Sequence, residues 1–138
     1  MTVVSRPAPP GDDATAAAEP PKQVTWVARA ITLGDDPGAR HPAPAPLLRR
    51  EFVLEADPRR AWLHVTSLGL HVVWVNGRRV SEDVLAPGWT PYGKRLLHDT
   101  YDVTELLAEG ANVIGAALGD GWFRGRLGWS PGNDRAIY

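Results

Sequence analysis

Residues 118–129, LGDGWFRGRLGW, gather four glycines, two tryptophans, a phenylalanine, an aspartate and two arginines into twelve positions. Aromatic faces, guanidinium groups and carboxylates are what proteins use to hold sugars, bases and anions, and glycine lets a backbone approach a ligand closely. Three chemistries compete for this stretch. A phosphate loop would use Gly119 and Gly121 as the first glycines of GxGxxG, but Arg124 stands in the third place. Pro131 and Gly132 argue against a following helix whose N-terminus could face a phosphate. Single-stranded nucleic acid could stack on an aromatic and arginine strip. However, 15 basic against 16 acidic residues leave a net charge of −1, with no general field for a polyanion or an anionic membrane surface. A carbohydrate site suits the residue types better. Trp122, Phe123 and Trp129 offer flat apolar faces to a pyranose, while Asp120, Arg124 and Arg126 can fix hydroxyls through charge-assisted hydrogen bonds. The same residues also suit a packed corner at the end of a strand, with arginine stacked on tryptophan for packing alone. Both readings stand on the sequence.

Other constellations are weaker. Glu82 and Asp83 are adjacent, whereas glycoside hydrolysis needs two carboxyl groups held across the scissile bond. Neighbours in a strand face opposite ways, so this pair reads as solvated loop charge. His41, His64, His71 and His98 lack i, i+4 or HxH spacing, so no zinc site is implied; His64 and His98 read as strand residues with satisfied hydrogen bonds. Asp35-Asp36 and Asn133-Asp134 could offer oxygen to calcium, but no EF-hand spacing supports it, and no cofactor is expected. There is no GxSxG elbow and no cysteine, which excludes a cysteine nucleophile, a thiolate metal site and a disulfide framework. The chain contains no self-sufficient catalytic constellation.

The elements that must position these residues are mostly strands. With 138 residues the chain fits one domain, and 14 glycines with 13 prolines favour turns and short strands over long helices. Residues 1–22 are rich in Pro, Ala and Asp without periodicity and read as a flexible leader before a domain spanning 23–138. No apolar window is long enough for a transmembrane helix, and the leader lacks the apolar core of a secretory signal, so a cytoplasmic location is expected over export. Strands are expected at 24–33, 47–56, 61–69, 70–80, 95–101 and 111–119. Asn76-Gly77 marks a type I′ hairpin, and the three runs from 47 to 80 suggest one antiparallel sheet. A helix of about two turns is expected over 102–110, capped by Asp102 with Glu105 three residues on and Gly110 at its exit. The sum is a mainly β protein, an antiparallel β-sandwich or jelly roll with one short helix. Its last residues, 130–138, stop where a further strand is expected, so the sandwich reads as incomplete at its C-terminal end.

Taken in order, LLRREF (47–52), VTSLGLHVVWVNGRRVSEDVLAPGWTPYGKR (65–95) and TYDVTELLAEGANVIGAALGDGWFRGRLGW (100–129) resemble the N-terminal domain of bacterial α-L-rhamnosidases. VNG followed by YDVTELL and GANVI is similar to many galactose-binding-type jelly rolls attached to glycosidases. LAPGWT (85–90) together with LGDGWFRGRLGW is more diagnostic. The resemblance implies an accessory domain of an enzyme that releases terminal α-L-rhamnose with inversion, its acid and base carboxylates lying in a downstream (α/α)₆ barrel. Catalytic residues are then expected outside this chain. Its partners would be that barrel and rhamnose-containing glycosides, with Asp120, Trp122, Arg124 and Arg126 facing the barrel or the remote part of the substrate. Two alternatives follow from the same residues: an independent carbohydrate-binding module, or a scaffold whose aromatic corner is only core. In some relatives a comparable sandwich binds rhamnose with calcium, through an acidic or amide pair on the strand before VNG. Leu68, Gly69 and Leu70 stand near that place here and cannot coordinate calcium through their side chains.

Overall fold

The computed structural model describes residues 2–4, 19–20, 24–31 and 44–124. Arg126, Trp129, Asp35, Asp36, Asn133 and Asp134 lie outside the described residues.

Among the described residues, seven strands form two antiparallel sheets: β1 (Thr2–Val4), β2 (Leu47–Leu54), β3 (Trp62–Val65), β4 (Leu70–Val75), β5 (Arg78–Arg79), β6 (Asp99–Asp102) and β7 (Gly110–Gly119). One sheet has the order β1-β3-β6 and the other β2-β7-β4-β5. Period-2 alternation explains why they face each other. In β4 the side chains of His71, Val73 and Val75 point inward, and in β7 those of Asn112, Ile114 and Ala116 do so. Opposite them β3 supplies Leu63 and Val65, 1% and 0% exposed, joined by Ala61 and Val103. Burying each such Val or Leu stabilises the fold by about 1.5–3 kcal/mol. The β-sandwich expected from the sequence is therefore the observed architecture, with β7 as the central strand linking β2 to β4.

Several expected elements are different in detail. The runs from 47 to 80 do not make one sheet. β2 and β4 both pair with β7, while β3 crosses over to pair with β6. Only that crossing lets Leu63 and Val65 oppose Val73 and Val75 across a core. Residues 24–31 form no strand; Val24 and Trp26 turn partly inward, and Trp26 meets the His98 ring edge-on at 5.5 Å. A side-chain anchor, not a ladder, holds this stretch. Within the segment read as a leader, Thr2–Val4 pair with β3 as β1.

The helix expected over 102–110 shrinks to a single 3₁₀ turn, Thr104–Leu106. Its N-cap is Val103, which makes no side-chain cap, and not Asp102; the Asp102 carboxylate, one residue earlier, accepts from the Thr104 N–H and hydroxyl. It ends because its backbone groups are claimed elsewhere. The Ala108 N–H donates to Asn112 Oδ1 and the Glu109 N–H to Asp57, while the Leu106 and Ala108 carbonyls accept from the Asn76 and Asn112 amides. No i→i−4 ladder can grow from groups already spent. Conversely, a helical turn appears where none was expected, α1 (Gly121–Arg124), directly after β7. At four residues it is too short to present an anion-binding N-terminus.

Candidate functional site

The loop between β3 and β4 and the corner between β7 and α1 meet through three glycines. Leu70 pairs with Gly119, and the turn before it brings Gly69 against the corner backbone. A Cβ on Gly69 would stand 2.3 Å from the Gly119 carbonyl oxygen and 2.7 Å from that of Asp120. One on Gly121 would stand 2.7 Å from Leu70 Cγ. Both glycines also have positive φ, +89° and +49°. The glycine richness of LGDG thus serves a close approach of the chain to itself.

The aromatic residues divide between packing and surface. Phe123 meets Tyr92 edge-on at 5.3 Å, tying α1 to the loop of residues 80–98. Trp122 is half-buried, and Asp120 is exposed at the turn into α1. Arg124 closes α1, its side chain outside the described part, as is the whole of Arg126. Of the four residues singled out for sugar contact, the structure thus brings Asp120 and Trp122 to one corner and says nothing of the two guanidinium groups.

A second polar assembly was not visible in the sequence. His71, 5% exposed, has its Nδ1 3.0 Å from the Ser67 hydroxyl and its Nε2 3.4 Å from Asp99 Oδ2, an ion-pair separation. Residues 67, 71 and 99 have no telling spacing; only the crossing of β4 over β6 unites them. Their types suggest a hydrolytic triad, but the arrangement does not perform one. Serine sits on Nδ1 and the carboxylate on Nε2, the reverse of the working order, and Ser67 is 1% exposed. The string is a strut between the sheets.

Several other described histidine and carboxylate side chains have partners within the fold. His64 Nδ1 lies 2.9 Å from the Thr100 hydroxyl, as expected of a strand residue with its hydrogen bond satisfied. Burial, and then the neighbouring His98, hold its pKa below the ordinary value of 6.5. Hydrogen bonds from Ser81 and Tyr101 lower the Asp83 pKa, with Arg79 adding to them. Partial burial pushes the Asp102 carboxyl up, but hydrogen bonds from Thr104 and Arg60 outweigh it and hold its pKa low. Burial and the nearby Asp99 and Asp83 push the Tyr101 hydroxyl far up, so it stays protonated and donates. Among the described residues no three His, Cys, Asp or Glu side chains gather as a metal site. Asp57, Asp83 and Asp102 are each hydrogen-bonded within the fold, while the buried Asp99 Oδ2 and His71 Nε2 face each other at 3.4 Å without a hydrogen bond.

This arrangement, a sandwich with a glycine-closed corner, has a counterpart among known proteins. Residues 56–138 match the family model described as the α-L-rhamnosidase N-terminal domain. The chain belongs to that family. Among relatives of this α-L-rhamnosidase N-terminal domain, the α-L-rhamnosidase of Formosa agariphila is 49% identical over 82 residues, which are 59% of this chain and 9% of that protein. The α-L-rhamnosidase of Alteromonas sp. (strain LOR) is 37% identical over 112 residues, 77% of this chain and 12% of the relative. Among solved structures, the native α-L-rhamnosidase of Aspergillus terreus superposes with a TM-score of 0.67 at 40% identity, covering 72% of this chain and 12% of that one. The Streptomyces avermitilis α-L-rhamnosidase complexed with L-rhamnose gives 0.59 at 45% identity, covering 64% and 9%. The chain therefore spans only about a tenth of the length of the proteins it matches.

Proposed function

We propose that this chain is an accessory β-sandwich of an α-L-rhamnosidase, inactive alone, which supports a catalytic (α/α)₆ domain of the same polypeptide acting on rhamnose-containing glycosides with inversion. The observation that carries this reading is the family match over residues 56–138, within relatives of which the first covers only 9% of its length with this chain. The committed carboxylates support it. An inverting glycosidase needs an acid and a base about 6.5–9.5 Å apart with room for water between them, and Asp57, Asp83 and Asp102 act as hydrogen-bond anchors instead.

The test is turnover of p-nitrophenyl α-L-rhamnoside by the longer polypeptide that contains this domain, with the first-formed anomer followed by proton NMR. Release of the β-anomer is expected. Release of the α-anomer would remove the inverting part of the proposal, and absence of rhamnose release would remove the enzyme class.

A second reading, binding of sugar by the domain itself, is favoured by half-buried Trp122 beside exposed Asp120 at the corner. Titration with L-rhamnose, with and without calcium, tests it. Saturating shifts of the amide signals of residues 118–124 would support it, and an unchanged spectrum at tens of millimolar sugar would end it.

A further inference from the structure

The loop between β5 and β6 turns apolar side chains outward while its own backbone is held firmly. Val84 is 78% exposed, Leu85 58% and Trp89 59%. Single exposed apolar residues are ordinary, but a concentration of them within six positions is not. The loop is anchored from inside. Ala86 and Thr90 are buried, the His71 N–H donates to the Ala86 carbonyl, the Thr90 hydroxyl to the Arg95 carbonyl, and the Arg79 guanidinium to the Asp83 carbonyl. Leu85 also has φ +58°, the left-handed region, which costs a bulky residue about 1–2 kcal/mol. A leucine held there and more than half exposed gains little from burial in the domain's own core. Such strain points to a role at a contact surface.

We propose that Val84, Leu85 and Trp89 form the face on which the remaining polypeptide of an α-L-rhamnosidase docks. The proposal rests on the accessory-domain reading above and adds the surface through which it acts. The occupant follows from the size of the relatives: this chain covers 9% of one and 12% of another, so most of each lies outside the matched domain and is available to cover such a ridge. Composition agrees, because aromatic and aliphatic anchors with a charged rim are the makeup of interdomain and protein interfaces, and Glu82, Asp83, Lys94 and Arg95 flank the ridge in the chain.

The test has two arms. After superposition on the Aspergillus terreus and Streptomyces avermitilis structures, the side chains aligned with Val84, Leu85 and Trp89 should be covered by residues outside the matched segment. If those positions face solvent in both enzymes, the proposal is overturned. In the second arm, Leu85→Asn is placed in this 138-residue chain and in the longer polypeptide that contains it. Asparagine tolerates positive φ, so the isolated chain should melt at the same temperature or slightly higher, whereas the longer polypeptide should melt several degrees lower; Val84→Ser should repeat the second result. Equal behaviour of both proteins overturns the proposal. So does a dimer of the isolated chain that Leu85→Asn dissolves, or L-rhamnose titration that shifts the amide signals of residues 84–89. An inactive longer polypeptide instead counts against the enzyme reading, while the superposition still decides the docking face.

Discussion

The two ends of β4 are built on opposite plans. At its far end Asn76 and Asn112 interlock: Asn76 donates to Asn112 Oδ1 and to the Leu106 carbonyl and accepts from the Val113 N–H, while Asn112 donates to the Ala108 and Gly110 carbonyls. Asn112 is 0% exposed, and both atoms of its side-chain amide find partners inside the chain. At the near end Gly69 and Gly121 close the backbone on itself, but the adjoining loop points Val84, Leu85 and Trp89 outward. One end closes on itself, and the other leaves apolar side chains exposed. Asp120 and Trp122, two of the residues that look most chemical in the sequence, lie at the second end.

Substitutions can break or sharpen that contrast. Asn112→Leu removes four hydrogen bonds, from the Asn76 amide and the Ala108 N–H and to the Ala108 and Gly110 carbonyls, and at about 1 kcal/mol each should cost about 4 kcal/mol in urea unfolding; a loss below about 1 kcal/mol would mean the far end is not locked. Gly69→Ala adds a Cβ 2.3 Å from the Gly119 oxygen at φ +89° and should cost about 3 kcal/mol, read from the same unfolding curves. A tolerated alanine would show that the near end can shift. Acid should act more gently. Because burial, then His98, holds the His64 pKa below 6.5, the unfolded chain binds more protons than the folded one. The stability from this group is whole above pH 6.5 and falls as pH drops through that value toward the folded pKa. His64→Gln should flatten the urea midpoint between pH 7 and 5, and an unchanged slope would assign the loss to other groups. The smallest effect belongs to the ridge: Val84→Ser should alter the stability of the isolated chain by no more than about 0.5 kcal/mol, measured by thermal melting. A larger loss would place Val84 in the domain's own packing.

Legibility in the sequence followed the range of the interactions. Asn76-Gly77 is a local signal, and the turn adopts φ +50° and +79° as its residue types require. The alternation of β4 and β7 likewise shows which face is buried. The 3₁₀ turn was misjudged because propensity favours helix over 102–110, while the partners that end it, Asp57, Asn76 and Asn112, come from distant positions. Ser67, His71 and Asp99 escaped notice for the same reason. The glycines of LGDG suggest close approach to a ligand, whereas the close approach observed is to Gly69, which belongs to another strand connection. Exposure of Leu85 and Trp89 could not be read at all, since an apolar run inside a proline-rich loop looks alike whether it faces in or out.

The most direct measurement concerns where the chemistry resides. The isolated 138-residue chain, first shown to be folded by a cooperative melt, is incubated with p-nitrophenyl α-L-rhamnoside and nitrophenolate release is followed. The account expects no release above the rate in buffer. Sustained, protein-dependent turnover that survives repurification would contradict it, because the acid and base would then have to lie within this sandwich.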